Sequence, residues 1–185
     1  MAVTTFIDEY TSPVSPLRIF KASIVDSHNL IPKLMPQAIK SVEFLQGNGG
    51  AGSIKQINFA EGIRSLTYFS LVAYIEMNIT SSFLSAGGAF KSVKYHIDEL
   101  NEDTYTYSYT LIEGDALVDK LKKITYDVKL EQSPDGGSIS KVTSKYYTLG
   151  DFALKEEEIK VGKEKVMAIY KVVEAYLLQN PNAYV

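Results

Sequence analysis

The chain contains no cysteine and no tryptophan. The absence of cysteine excludes a disulfide scaffold, a thiolate-ligated zinc site and a thiol nucleophile. Histidine is scarce. His28 falls in a polar break and His96 in a strand-like run, neither has a convincing serine or aspartate partner, and both read as surface residues. Positive charge is not in excess. A net charge of −3 gives no reason to expect nucleic acid or an anionic membrane as partner. Residues 1–10 carry no basic region and no long apolar run, which predicts no secretory signal and leaves the sequon Asn78-Ile79-Thr80 without a use. What remains is a chain of 185 residues, 45% hydrophobic, of a size for one domain with its own core. The expectation is a soluble intracellular monomer with no metal and no cofactor.

Tyrosine is abundant, with 13 in the chain. Each offers a large apolar face and one hydroxyl. Tyrosines on strands suit a hollow that holds an apolar ligand and hydrogen-bonds to it; they equally suit a sheet with an exposed face.

Glycine is concentrated in Gln46-Gly47-Asn48-Gly49-Gly50-Ala51-Gly52-Ser53. Gly47, Gly49 and Gly52 spell the dinucleotide pattern, which requires a helix to follow and hold the pyrophosphate. The residues that follow, Ser53 to Phe59, are rich in β-formers, and Val42 to Leu45 before them also read as a strand. A P-loop fails as well, since Ser53 and Ile54 stand where lysine and serine or threonine belong. The loop therefore reads as a rigid hairpin connection.

Val3 to Thr11 reads as the first strand. Ser15 suits an N-cap with Pro16 at the first helical position, and Leu17, Phe20, Ile24 and Val25 give a short helix one apolar face. Asp26 to Asn29 breaks it, and Leu30 to Leu34 reads as a second short helix ended before Pro36. Strands follow at Phe90–Leu100, Thr104–Ile112, Leu121–Glu131 and Ser138–Thr148, separated by polar or glycine turns. Tyr105, Tyr107, Tyr109 and Leu111 share one strand face; Ile124, Tyr126, Val128 and Leu130 share another. From Lys155 to Gln179 the period changes to three and four, a helix of about 25 residues and roughly 37 Å. A curved sheet that wraps such a helix without touching it throughout leaves a hollow suited to apolar small molecules.

The order of elements and four local motifs resemble the plant pathogenesis-related class-ten proteins, the birch-pollen-allergen type. The motifs are Pro36-Gln37-Ala38-Ile39-Lys40, Gly47 to Lys55, Tyr109 to Asp115, and Pro134-Asp135-Gly136-Gly137-Ser138; the ending Tyr176-Leu177-Leu178 to Ala183-Tyr184 fits too. Gln46 stands where glutamate is usual and Ala51 where proline is usual, and neither prevents the loop. The resemblance implies an α+β helix-grip fold of the START-like kind: seven antiparallel strands, two short helices and a long C-terminal helix over a forked cavity. It also implies a defence- and stress-related allergen-type protein of the plant cytosol, and also of the nucleus. Such proteins bind flavonoids, cytokinins, brassinosteroids or fatty acids. Carried onto this chain, the cavity wall is Ile39, Lys55, Ile57, Phe59, Phe90, Tyr107, Tyr109, Leu111, Tyr126, Tyr147, Ile159, Gly162, Lys163 and Val166, with Gly47, Gly49, Gly50 and Gly52 forming the loop. Each apolar member could equally be plain core; alternation on three strands and one helix face favours a lined cavity.

Residues 63–87 depart from that pattern. Removing them joins Ala60-Glu61-Gly62 to Gly88-Ala89-Phe90-Lys91 as a normal turn. Leu66 to Leu84 is just long enough for a membrane span, but Glu76 and Asn78 sit near its middle and flanking anchors are missing. Relatives commonly carry an intron in the glycine codon at this turn, so the preferred reading is translated intron; a true insert beside the cavity entrance is the alternative. Two other functions compete with ligand binding. A ribonuclease would use Glu174 and Tyr176, but Lys122 stands where its second carboxylate belongs. An abscisic-acid receptor that inhibits a phosphatase needs a latch that Glu113-Gly114-Asp115-Ala116-Leu117 lacks.

Overall fold

The structure is a computed structural model and describes residues 2–60, 91–114, 117, 121–150 and 170–185. Seven strands form one antiparallel sheet: β1 Val3–Ser12, β2 Ile39–Gln46, β3 Ile54–Phe59, β4 Ser92–Asn101, β5 Thr106–Gly114, β6 Leu121–Gln132 and β7 Ser138–Thr148. Their spatial order is β1-β7-β6-β5-β4-β3-β2. Every neighbour in sequence from β2 to β7 pairs with the next, as short turns allow. β1 returns to pair with β7 along its whole length, from Val3↔Tyr147 to Ser12↔Ser138.

Between β1 and β2 lie α1 (Pro16–Phe20), a π-helical turn (Lys21–Val25) and α2 (Ser27–Leu34). Pro16 opens α1, where its missing N–H costs nothing. The expected four-residue break shrinks to Asp26 alone, because the wider π turn realigns the chain and Asn29 and Leu30 hydrogen-bond back to the Asp26 carbonyl. Ile19, Phe20, Ala22, Leu30, Ile31 and Met35 are buried against the sheet.

Strand bounds follow the sequence reading to within two residues except at β2, which runs Ile39–Gln46 where the sequence suggested Val42 to Leu45; β5 shows an instructive smaller shift. β5 begins at Thr106 rather than Thr104, because Tyr105 adopts φ +52° in a turn. That turn is closed by the Asn101 side chain, which accepts from the Asp103 and Thr104 amides. The glycine-rich segment is a hairpin connection between β2 and β3, with no helix after it. Gly47 (φ +78°) and Gly49 (φ +101°) hold left-handed backbone that other residues rarely adopt, and a Cβ on Gly47 would sit 2.3 Å from Ser53 Oγ. Ser53 Oγ accepts from the Gly49 amide at 3.0 Å and so ties the loop to its own stem.

The C-terminal helix, α3, is helical over residues 170–179. Its expected beginning near Lys155, and the whole of residues 63–87, lie outside the described residues. Val173 and Leu177 are buried on the sheet side of α3. Its end is clasped by α1. Arg18 donates to the carbonyls of Leu177 (2.8 Å), Asn180 (2.7 Å) and Ala183 (2.9 Å), some of which no helical N–H can reach. Beyond it, the Tyr184 hydroxyl donates to the Asp26 carboxylate at 2.5 Å.

That last bond carries a pH dependence. Partial burial opposes the ionised Asp26 carboxylate, but bonds from Tyr184 and Asn29 and the nearby His28 and Lys33 outweigh it, leaving Asp26 below its ordinary value of 3.8. Burial and the Asp26 charge raise the Tyr184 hydroxyl, which stays protonated and donating. A depressed folded value means the stabilisation is full above the ordinary carboxylate range and is lost as pH falls through the folded value. Tyr184→Phe is expected to cost about 1 kcal/mol at pH 7 after discounting for solvent exposure, or about 2–4 °C in melting temperature. Thermal melts followed by circular dichroism should show that difference shrinking as pH falls below the ordinary carboxylate range and Asp26 takes up its proton.

Candidate functional site

Side chains alternate across each strand, so the paired registers decide which residues meet on the inner face of the sheet. Lys55 lies opposite Tyr95, Ile57 opposite Val93, Tyr109 opposite Ile97, and Leu111 opposite both Tyr95 and Ile124. Tyr126 stands opposite Tyr109. The structure therefore brings together Lys55, Ile57, Tyr107, Tyr109, Leu111 and Tyr126 of the expected wall. Ile39 and Phe59 are paired at the β2–β3 end, both buried. Phe90, Ile159, Gly162, Lys163 and Val166 lie outside the described residues. Gly47, Gly49, Gly50 and Gly52 form the connecting loop, away from this face.

Tyr147 departs from the expectation. The inner phase of β7 runs through Ser138, Ser140, Ser144, Tyr146 and Thr148, all buried. Tyr147 points to the opposite face, where the Lys123 ammonium sits 4.7 Å from its ring centre. Tyr146 takes the inner position, edge-on to Phe6 at 5.7 Å. The sequence offered two adjacent tyrosines, and the serines that set the phase look like solvent-facing residues until a helix is laid over them. Tyr170 of α3 does this, with its hydroxyl hydrogen-bonded to that of Ser140.

Four tyrosine rings form the centre of the site. Tyr109 stacks on Tyr126 (4.8 Å between centres, 17° between planes), lies beside Tyr107 (5.0 Å) and receives Tyr95 edge-on (5.2 Å, 86°). The Lys55 ammonium donates to the Tyr107 hydroxyl at 3.1 Å and lies 5.4 Å and 5.9 Å from the ring centres of Tyr107 and Tyr95. Tyr95 is the residue that sequence reasoning left off the wall, although it shared a strand face with Val93 and Ile97. Its ring is 2% exposed. A second polar group marks the β1 end of the same face. Burial, the Asp8 charge and Tyr146 push the Tyr10 hydroxyl up to about 12.

The proposed nuclease residues do not assemble. Lys122 is exposed at the start of β6, Glu174 and Tyr176 are on α3, and no hydrogen bond or ion pair joins them among the described residues. His96 does have an acidic partner, contrary to expectation. Its Nδ1 lies 2.7 Å from Asp98, which also accepts from Thr110 at 2.6 Å, on the outer face. His28 is half-buried against the Phe44 ring at 5.1 Å rather than free on the surface. No group of metal-binding side chains occurs among the described residues. Nor is any described helix long and apolar enough to cross a membrane.

The sequence profile of the pathogenesis-related protein Bet v 1 family matches residues 1–78 and 74–180. The chain belongs to this family. It is 48% identical over 184 residues to the major allergen Pru ar 1 of Prunus armeniaca, covering 100% of this chain and 99% of that one. The crystal structure of Ara h 8.0201 superposes with a TM-score of 0.73 at 36% identity, covering 96% of this chain and 99% of that chain. Norcoclaurine synthase from Thalictrum flavum, in complex with dopamine and hydroxybenzaldehyde, matches with a TM-score of 0.63 at 15% identity, covering 96% and 88%. That last likeness shows the fold alone. The Bet v 1 framework and the seven-stranded helix-grip sheet thus agree.

The stack around Tyr109 makes a testable contribution. Tyr109→Leu keeps an apolar side chain but removes three ring contacts, and is expected to cost about 1–3 kcal/mol in urea unfolding. The near-ultraviolet circular dichroism of the tyrosines should weaken at the same time.

Proposed function

We propose that this chain is a non-catalytic, defence-related binder of amphipathic plant small molecules, holding them between the inner face of the sheet and its helices. The observation that carries this reading is the tyrosine quartet with Lys55: broad aromatic faces with polar groups at their edges, grouped on the inner side of the sheet. Aromatic planes favour flat, ring-containing ligands, and the hydroxyls fix their orientation. Flavonoids, cytokinins, brassinosteroids and fatty acids are the classes to screen, with the cytosol of the plant cell as the compartment. The norcoclaurine synthase complex, whose ligands are aromatic, is in keeping with this range.

We also infer that residues 63–87 are dispensable to the binding domain and represent translated intron. Two observations support this. The family match comes in two pieces that meet at residues 74–78. The flanks are already neighbours: β3 pairs with β4 up to Asn58↔Ser92, and the Phe59 amide donates to the Lys91 carbonyl at 3.0 Å. A short turn closes such a pair without the intervening residues.

Two measurements test these readings. Nile red, a neutral apolar dye, should bind with a rise in fluorescence. Ile57→Trp, which fills the inner face beside the quartet, should lower its affinity about ten-fold or more while far-ultraviolet circular dichroism stays unchanged. Unaltered affinity would remove this face as the site. A full-length transcript read across the Gly62–Gly88 junction should show the shorter form as the dominant message; a long form alone makes the segment part of the protein.

A further inference from the structure

The two edges of the sheet are built differently. β1 and β2 stand at its ends, and among the described residues no segment pairs with the outer side of either. β2 slips register twice against β3 and carries Lys40 on its short length. Bulges and lysines of that kind keep an edge from pairing with another strand. β1 lacks both. It runs ten residues in one unbroken register with β7 and contains no proline, lysine or arginine.

One hydrogen bond decides which backbone groups face the β1 edge. The Thr148 amide donates to the Ala2 carbonyl at 3.0 Å. Bonded pairs alternate with unbonded pairs along an antiparallel ladder. The even residues from Thr4 to Ser12 therefore direct their amides and carbonyls to β7. Val3, Thr5, Ile7, Glu9 and Thr11 turn theirs outward, where no described segment meets them. The side chains of the same five residues are exposed, Ile7 at 66% and Val3 at 50%. A row of open backbone donors and acceptors thus runs beside two exposed aliphatic side chains.

We propose that β1 docks antiparallel on β1 of a second copy of this chain, about a two-fold axis through Ile7, so that the two sheets continue as one. A weak dimer thereby takes the place of the expected monomer. Only the odd residues can bond across this edge, so the register sets odd against odd. An axis at Ile7 engages all five: Ile7 meets Ile7, Thr5 meets Glu9 and Val3 meets Thr11 of the second copy. An axis at Phe6 or Asp8 leaves one of the five without a partner in the strand, and an axis at Glu9 sets two carboxylates face to face. Charge favours the same choice. β1 carries only acidic charge, on Asp8 and Glu9, and a parallel copy in register would stack these on each other. The two-fold at Ile7 instead keeps the Glu9 residues about 14 Å apart along the strand. It also brings Glu9 towards a cation. Thr5 lies opposite Lys145 of β7, so the row across the seam reads Lys145, Thr5, Glu9 of the second copy. The lysine and the incoming glutamate are about 10 Å apart at the backbone, on one face, with only a threonine between them.

Analytical ultracentrifugation of the full chain, from about 10 µM to about 1 mM, tests it. A seam this small is expected to give a monomer–dimer equilibrium with a dissociation constant of about 100 µM. Ile7→Lys, which sets two ammoniums on the axis, should weaken the dimer at least about ten-fold. Thr5→Pro removes an outward amide and no bond to β7. It should weaken the dimer about five-fold or more while far-ultraviolet circular dichroism stays unchanged. Leu45→Lys, at an exposed apolar residue on the other edge strand, should leave the equilibrium unaltered. The chain has no cysteine of its own, so single cysteines report the register. Ile7→Cys should yield a disulfide-linked dimer on mild oxidation, because the two Cα atoms stand about 5.5 Å apart across the axis, and Glu9→Cys should not. A monomer throughout the concentration range, growth beyond the dimer, a dimer indifferent to Thr5→Pro, or equal cross-linking at both cysteines overturns the proposal.

Discussion

The arrangement of the inner face depends on a period of two held in phase between neighbouring strands. β1 and β7 pair without a slip, and so do β5 and β6 through the tyrosine quartet. A slip of one residue in either pair would turn Tyr146, or Tyr109 and Leu111, to the outside. Irregularities fall elsewhere. Two interrupt β2–β3, two interrupt β4–β5 and one falls at the start of β6 against the end of β7, where extra residues increase bend and twist. The pairing is thus regular along the buried serines of β7, from Ser138 to Ser144.

The end of α3 and the tail beyond it are held by a small number of polar contacts. Arg18 takes carbonyls from the last turn of α3 and from the tail beyond it, and Asp26 takes the Tyr184 hydroxyl. Both anchors belong to the helical segment between β1 and β2, which is itself packed on the sheet through Ile19 and Phe20. The tail, the paired helices and the sheet are therefore coupled. A helix end leaves carbonyls unpaired, and a planar guanidinium that bonds Leu177 in the last turn and Asn180 and Ala183 beyond it is a good stop.

The chemistry of the inner face is that of tyrosine. Each ring supplies apolar area comparable to phenylalanine, and each hydroxyl must find a partner when buried. Among the described residues Tyr170 finds Ser140, Tyr107 finds Lys55, and Tyr95 finds none. Burial and a nearby carboxylate keep Tyr10 protonated well above neutral pH. The face is therefore a set of donors on an aromatic surface, suited to recognition. The described residues do not join a general acid to a general base there.

Much of this was legible in the chain. The strand face of Tyr107, Tyr109 and Leu111, the hairpin turn at Ser133–Gly137, the helix start at Pro16 and the glycine connection all have local physical causes: alternation, fixed φ and positive φ. Family membership was legible too, in the short motifs at residues 36–40, 47–55, 109–115 and 134–138. What the sequence could not decide was phase where two tyrosines are adjacent. Tyr146 and Tyr147 are equivalent on a strand until a partner strand and a covering helix choose a side, and buried serines disguise that side as polar. Nor could it show that Tyr95 lacks a partner among the described residues or that Arg18 reaches the tail beyond α3. Those facts depend on groups more than a hundred residues apart in one case and on three strands meeting in the other, and only the folded backbone sets such distances.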